Sequence, residues 1–333
     1  MKNIILATLM SAAALSANAQ EVNIYSARQP ELIDPILAAF TEQTGIATNV
    51  VFLKKGLLER LRAEGRRSPA DVILGTDIAN LDAVVQAGLT RPVSSEIINR
   101  NIPAAYRDAD GQWFGLTSRA RIFYISSDRV AAGEITSYEQ LADPQWQGRI
   151  CTRSGTHDYN IALTAAYLLQ HGEADTEAWL SGIKANLARR PQGNDRAQVK
   201  AIWAGECDIA IGNTYYMGKM LADPEQAEWA NAVTLVFPTL NGIGTHINIS
   251  GMAMSKSAPN PENALLLMEF LVSDTAQSLY AEANYEYPLN PEIPPSALVA
   301  SWGDFTPDPT PLSDIAKLRG AALRLMERVD FDG

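Results

Sequence analysis

The sequence predicts an α/β fold with mostly parallel sheets. Short apolar strands alternate with helices along most of the 333 residues, and this order is typical of parallel sheets that helices cover on both faces. The length is sufficient for two domains, at roughly 150 residues in each. The formal net charge of −11 disfavours nucleic acid and anionic lipid as partners of the surface as a whole.

Residues 1–19 have the features of a secretory signal peptide. Lys2 precedes an apolar run at 4–15, and the A-N-A sequence at 17–19 matches a cleavage site. The apolar run is shorter than the roughly 20 residues that a membrane-spanning helix needs. We therefore expect an exported protein whose mature chain comprises residues 20–333.

The mature chain opens with one βαβ unit. A strand is predicted at 22–25, a helix at about 32–44 and a second strand at 48–52, because apolar residues in the middle segment recur at helical spacing. A further strand, 72–74, leads into a helix that begins at Asp77.

The rest of the chain continues this alternation. Within residues 110–128 we expect two extended pieces, separated by residues 117–120. A second α/β series should follow, with these elements in order: a strand at 150–152, a helix from about Asp158, a strand at 209–211, an extended stretch near 244–253 and a last helix at about 312–328.

The loops that follow the strands are the candidate ligand site. Ligands of parallel sheets bind at the carboxyl ends of the strands, and four loops have this position: "SARQ" after Tyr25, "GTD" after Leu74, "RSGTHDY" after Thr152 and "GNTYY" after Ile211. Two of these loops contain tyrosines, namely Tyr159, Tyr215 and Tyr216. A tyrosine chosen at random most often packs at an interface, but three at strand ends favour a shared function.

Several phenols together are suited to a hard, highly charged cation. A free phenol has a pKa of about 10, and a trivalent ion beside it displaces the proton. Three phenolates would balance the charge of Fe(III), whose other positions would be open to water or to an exogenous anion. Arginine binds such anions with two nitrogens, and Arg28 and Arg119 are the candidates. For each of them, an ion pair with another part of the protein is the alternative.

Cys151 and Cys207 each lie at the start of a predicted short strand. Neighbouring parallel strands would bring their α-carbons within the reach of a disulfide, and disulfides persist in exported proteins. The pattern therefore favours a bridge between them. Two buried free thiols are the alternative.

The mature chain resembles the periplasmic ferric-iron-binding proteins of bacterial ABC importers, the bacterial transferrin group, over nearly its whole length. The most specific motif is "GNDRAQVKAIWAGECDIAIGNTYYMG" at 193–218. Further matching motifs are "NIYSAR" at 23–28, "TSRARIFY" at 117–124, "RSGTHDYN" at 153–160, "HINISGMAMS" at 246–255 and "NYEYPLNP" at 284–291.

The resemblance implies a set of site residues. Tyr159, Tyr215 and Tyr216 match the tyrosine ligands of the multi-tyrosine branch, and Arg119 matches an arginine in or next to the site. Some members have an additional His or Tyr ligand where this chain has Gln29-Pro30. We therefore expect three protein ligands for Fe(III), with water or a carbonate-like anion completing the shell. Three other residues, Tyr25, His157 and His246, are expected to be structural.

The resemblance also implies a two-lobed periplasmic-binding-protein fold with a two-strand hinge. Lobe one would comprise residues 20–117 plus 253–333, and lobe two would comprise residues 118–252 with all three tyrosines. Closure of the lobes would bring Arg28 over the metal. The implied protein is a periplasmic monomer that delivers iron to an inner-membrane permease.

Two other functions compete with iron binding. The first is a binding protein for a small organic solute, such as a phosphonate or a polyamine. The second is an enzyme with a catalytic tyrosine, but the sequence contains none of the G-x-S-x-G, H-E-x-x-H or glycine-rich phosphate-loop motifs. A carrier would bind its ligand in a fixed stoichiometry, whereas an enzyme would convert it.

Overall fold

The computed structural model describes residues 20–333, and the predicted signal peptide lies outside this range. The described chain contains ten strands: β1 Glu21–Ser26, β2 Ala47–Phe52, β3 Val72–Gly75, β4 Thr90–Arg91, β5 Phe114–Ser126, β6 Ile150–Cys151, β7 Ile209–Asn213, β8 Val233–Val236, β9 Ile247–Ser255 and β10 Tyr287–Pro288.

The same range contains thirteen helices: α1 Pro30–Thr44, α2 Leu57–Glu64, α3 Ile78–Gln86, α4 Glu96–Asn101, α5 Asp158–Asn186, α6 Asp195–Trp203, α7 Tyr215–Leu221, α8 Ala227–Asn231, α9 Pro261–Leu271, α10 Asp274–Asn284, α11 Ala297–Ala300, α12 Leu312–Lys317 and α13 Arg319–Arg328. Within residues 20–333, no helix combines the length and the apolar character that crossing a membrane requires.

Helix α1 shows how the local sequence sets an element. Pro30 occupies its first turn, where the missing N–H group has no consequence. Gly45 ends the helix with a φ of 73°, which glycine adopts at no steric cost. The side chains at the predicted apolar spacing, including Ile36 and Phe40, are fully buried. The predicted apolar spacing and the observed burial therefore agree here.

The sheet has the strand order β2-β1-β3-β9-β5-β7-β6. Strand β1 pairs in parallel with β2 and β3, and β6 pairs in parallel with β7. Strands β1, β2 and β3 form one half of the sheet, and β6 and β7 form the other. Strands β5 and β9 form the antiparallel ladders: they pair with each other, β9 pairs with β3 of the first half, and β5 pairs with β7 of the second. The α/β class is therefore confirmed, and β5 and β9 are the two strands that cross between the halves.

Strand β5 differs from the prediction of two extended pieces. It runs unbroken through 13 residues, all of them buried. The polar residues at 117–120 suggested an interruption, but their neighbours satisfy them. The hydroxyl of Thr117 lies 2.6 Å from the hydroxyl of Ser250 of β9, and Arg119 donates to the backbone carbonyl of Thr76. Such partners permit polar side chains within a buried strand.

The C-terminal segment also differs from the prediction of one helix. The predicted helix at 312–328 is two helices, α12 and α13, and α13 packs against α5. The ammonium group of Lys184 in α5 donates to the carbonyl of Val329 at 3.0 Å, and Arg328 contacts Glu173 and Glu177 of α5. Helix α12 contacts both α3 and α5. The predicted division, with these residues in lobe one and α5 in lobe two, stays a prediction.

Cys151 and Cys207 are joined by a disulfide, with their α-carbons 5.9 Å apart. Cys151 ends β6, and Cys207 lies just before β7, so the bridge links the two parallel strands of this half. Both residues are almost fully buried.

Removing this bridge should destabilise the protein. We expect the Cys151→Ala/Cys207→Ala variant to lose about 2–4 kcal/mol of unfolding free energy, because the bridge limits the freedom of the unfolded chain. Urea unfolding of both proteins checks this value. As a control, a reductant should destabilise the wild type to a similar extent and leave the variant unchanged. A loss of less than about 1 kcal/mol would contradict the expectation.

Candidate metal centre

The four predicted strand-end loops meet at one cavity of about 450 Å³. Ala27 and Arg28 follow β1, Thr76 and Asp77 follow β3, residues 153–159 follow β6, and Tyr215 and Tyr216 follow β7. A cavity of about 620 Å³ lies elsewhere, around Leu61 and Lys256. No tyrosine is among the described residues that line this second cavity. Chemistry rather than volume therefore identifies the candidate site.

Tyr159 enters the cavity from the first turn of α5. The ring of His157 precedes the helix, and its Nδ1 accepts a hydrogen bond from the N–H of Tyr159 at 3.2 Å. Burial lowers the pKa of His157 to about 4, which keeps the imidazole neutral and able to accept. His157 therefore has the structural role predicted for it, as a cap of the helix that presents Tyr159.

Tyr215 and Tyr216 are the first two residues of α7, not part of a loop. Neighbouring helical residues differ by about 100° in direction. Both rings nevertheless line the same cavity, and their centroids lie 4.3 Å apart. The hydroxyl of Tyr215 lies 3.1 Å from that of Tyr159. The structure thus brings all three predicted tyrosines together, and each is partly exposed to the cleft.

Tyr215 and Tyr216 are protonated in the absence of a metal. Burial raises the pKa of Tyr215 and that of Tyr216 well above their usual value, and the negative charge that Tyr159 and Asp195 can carry raises them further. Phenolate formation here therefore requires a cation that replaces the protons. In residues 20–333, His, Cys, Asp and Glu side chains form no group of three that could hold a metal. The phenols are the candidate donors.

Positive charge surrounds the ring of Tyr159. The guanidinium carbons of Arg119, Arg121 and Arg153 lie 5.7, 5.7 and 5.1 Å from its centroid. Opposite charges attract one another at such distances. A metal-bound phenolate at this position would therefore lie beside three guanidinium groups.

A buried carboxylate holds two of these arginines. Asp195, at the start of α6, is fully buried and accepts from the Nη1 atoms of both Arg121 and Arg153. Its Oδ1 also accepts from the backbone N–H of Asn213, the last residue of β7, at 3.1 Å. Asp195 therefore ties the loop of Tyr159 to the strand that leads into Tyr215.

Arg119 and Arg28 have different surroundings. Arg119 is buried and donates to the backbone carbonyl of Thr76 on the opposite side of the cleft. Arg28 donates to both carboxylate oxygens of Glu286, at 2.9 and 3.1 Å. The ion pair that the sequence left open for Arg28 is therefore present, and both terminal nitrogens are engaged. Glu286 also accepts from Thr117 of β5.

Sequence reasoning missed Arg121, Arg153 and Asp195. Arg121 had a detectable signal, because it is two positions from Arg119 in a strand and so lies on the same face. Arg153 also had one, because it begins the loop after β6. Asp195 had none, because its partners are 74 and 42 positions away in the sequence. The remaining histidine candidate, His246, is buried, and its burial lowers its pKa to about 3.

The fold and the cleft between its halves are those of a two-lobed binding protein. A model of the bacterial extracellular solute-binding protein family matches residues 67–303. Iron uptake protein A1 of Synechocystis is 44% identical over 315 residues, which are 94% of this chain and 88% of that protein. The chain therefore belongs to the family of bacterial extracellular solute-binding proteins.

Solved structures agree with this assignment. The apo ferric ion-binding protein A of Pasteurella haemolytica superposes with a TM-score of 0.91 at 49% identity, covering 95% of this chain and 99% of that one. A Trichodesmium protein in complex with iron and citrate ligands has a TM-score of 0.88 at 39% identity, covering 93% and 99%. The resemblance to ferric-iron-binding proteins and the two-lobed fold are thereby confirmed.

Proposed function

We propose that this protein captures Fe(III) in the cleft through the phenolates of Tyr159, Tyr215 and Tyr216. The observation that carries the proposal is the convergence of these three rings, with two hydroxyls 3.1 Å apart, beneath a group of arginines. Oxygen donors of this kind suit a hard trivalent ion. The relatives named for iron uptake and ferric iron binding support the same cargo.

The delivery step follows from the family. Binding proteins of this class supply ABC importers, so the proposed partner is a permease in the inner membrane and the proposed location is the periplasm. We also propose that the protein acts as a monomer. Several relatives are named as periplasmic binding proteins. Its role is that of a carrier rather than an enzyme, because the relatives are named as binding or uptake proteins. One ion per chain, bound and released without conversion, is the expected behaviour.

An anion or water completes the coordination shell in this proposal. Lys54, Lys55 and Arg119 line the cleft beside the tyrosines, although the surface as a whole is acidic. Cationic groups in a cleft attract anions locally. Arg28 is not available to the anion in the same way, because both of its terminal nitrogens are bonded to Glu286, whose negative charge balances its own. A carbonate-like ion is the simplest occupant that fits these groups.

The visible spectrum tests the iron assignment. Titration of the metal-free protein with ferric citrate should produce a broad phenolate-to-iron band that saturates at one iron per chain. Gallium citrate is the control, because Ga(III) has the same charge but gives no band of this kind. A protein that stays colourless at saturating iron would contradict the proposal. The cationic cleft would then favour the alternative of an anionic organic solute, such as a phosphonate.

A further inference from the structure

Residues 326–332, which are the end of α13 and the chain that follows it, pack beside the loop that precedes Tyr159. This loop, residues 153–157, connects β6 to α5 and has no regular structure of its own. Its inner side is held by Asn160, whose side-chain nitrogen donates to the carbonyls of Arg153 and Ser154 at 3.1 Å each. Its outer side faces residues 326–332.

We propose that Asp332 is a positioning residue for Tyr159, and this role rests on the proposed function of the cleft. One carboxylate oxygen accepts from the hydroxyl of Ser154 at 2.5 Å, and the other accepts from the backbone N–H of Gly155 at 2.6 Å. Both bonds are charge-assisted, which makes them stronger than bonds between neutral groups. They fix the loop four and five positions before the tyrosine.

Packing at Gly155 supports the same role. A β-carbon at this position would lie 2.6 Å from the ring of Phe331 and 2.9 Å from the sulfur of Met326. Phe331 is buried, so the contact is closed to solvent. Glycine is therefore the residue that lets the segment approach the loop closely enough for Asp332 to reach its backbone.

A second contact joins the same two parts of the chain. Arg319, at the start of α13, forms an ion pair with Asp158, the first residue of α5. The residue that follows Asp158 is Tyr159. Helix α13 and the residues after it therefore contact the chain at two points just before Tyr159, one in the loop and one at the first residue of α5. Metal sites depend on such supporting contacts, because small displacements of a ligand weaken binding.

The test compares two matched variants of the full mature chain. Asp332→Asn removes the charge that holds the loop, whereas Asp330→Asn makes the same chemical change two positions away, where the partner is the partly exposed Lys184. We expect Asp332→Asn to lower the affinity for Fe(III) about tenfold, measured by competition with citrate. Asp330→Asn should bind as the wild type does. Both variants should keep the thermal stability of the metal-free protein within about 2–4 °C.

An iron-independent measurement accompanies the titration. In the metal-free protein, amide exchange at Gly155 should be faster and the NMR signals of the Tyr159 ring should move in Asp332→Asn alone. Gly155→Ala should reproduce both effects from the other side of the contact. If the wild type binds Fe(III), unchanged affinity in Asp332→Asn would overturn the proposal, as would equal losses in the two Asn variants.

The two readouts also separate this inference from the proposed function. If the wild type binds no Fe(III), the function falls, and the signals of Gly155 and Tyr159 still decide whether Asp332 positions the loop. If the wild type binds Fe(III) and Asp332→Asn does so equally well, the function stands and the positioning role falls.

Discussion

Replacing Tyr216 with phenylalanine should weaken Fe(III) binding by at least about 100-fold. Groups that only support a metal ligand typically contribute about 10–100-fold in affinity, so removal of an oxygen donor should have a larger effect. The variant keeps the ring, which packs against Tyr215, and so should keep its fold. The visible band should shift or disappear because one phenolate is lost. Competition with citrate measures the affinity, and the spectrum reports the ligands.

Tyr106→Phe is the matched control for this experiment. Tyr106 is partly buried and lines a different cavity, beside Trp113 and Pro307, so removing its hydroxyl should change neither the band nor the affinity. Tyr159→Phe and Tyr215→Phe should behave as Tyr216→Phe does. If Tyr216→Phe binds Fe(III) with an unchanged band, Tyr216 is not a ligand and the site has fewer phenolates than proposed.

Replacing Asp195 with asparagine should lower the unfolding free energy by about 3–5 kcal/mol, because this is the usual cost of removing one partner from a buried ion pair. Asp195 is completely buried, and Arg121 and Arg153 both depend on it for charge balance. The asparagine has nearly the same shape, so packing changes little. Urea unfolding of the metal-free protein measures the loss. An unchanged m-value, the slope of the unfolding free energy against urea concentration, would show that the unfolded state is unaltered.

Asp208→Asn is the control, because Asp208 also pairs with two arginines. Its partners, Arg129 and Arg149, have side chains that are 39% and 31% exposed. Exposed pairs contribute only about 0–1 kcal/mol, so this variant should be close to the wild type in stability. Equal losses in the two variants would contradict the argument that burial of the charges sets the size of the effect.

Much of the fold could be predicted from local patterns. The apolar spacing located β1, α1 and β3 to within a few residues, and the rule for strand ends selected loops that do meet at one cavity. The errors fell where neighbours in space override the local signal. Strand β5 is continuous because β9 and Glu286 satisfy its polar residues. The packing of α13 on α5 depends on contacts that have no sequence pattern of their own.

The candidate site also has a part that the sequence predicts and a part that it does not. Its donors could be predicted, because the chemistry of three phenols at strand ends is a property of residue type and position. The partners of the charged groups could not. Arg28 was a candidate either for an exogenous anion or for an ion pair, and its partner is Glu286, 258 positions away in the sequence.

The sequence by itself therefore determined the elements, the loops and the donor chemistry of this protein, because these depend on residues that are close together in the chain. The tertiary structure alone decided which charges neutralise one another and which segments support the site. Asp195 joins Arg121 to Arg153, and Asp332 reaches the loop of Tyr159 across 178 and 177 positions. Burial sets the strength of such contacts, and burial exists only once distant parts of the chain have packed together.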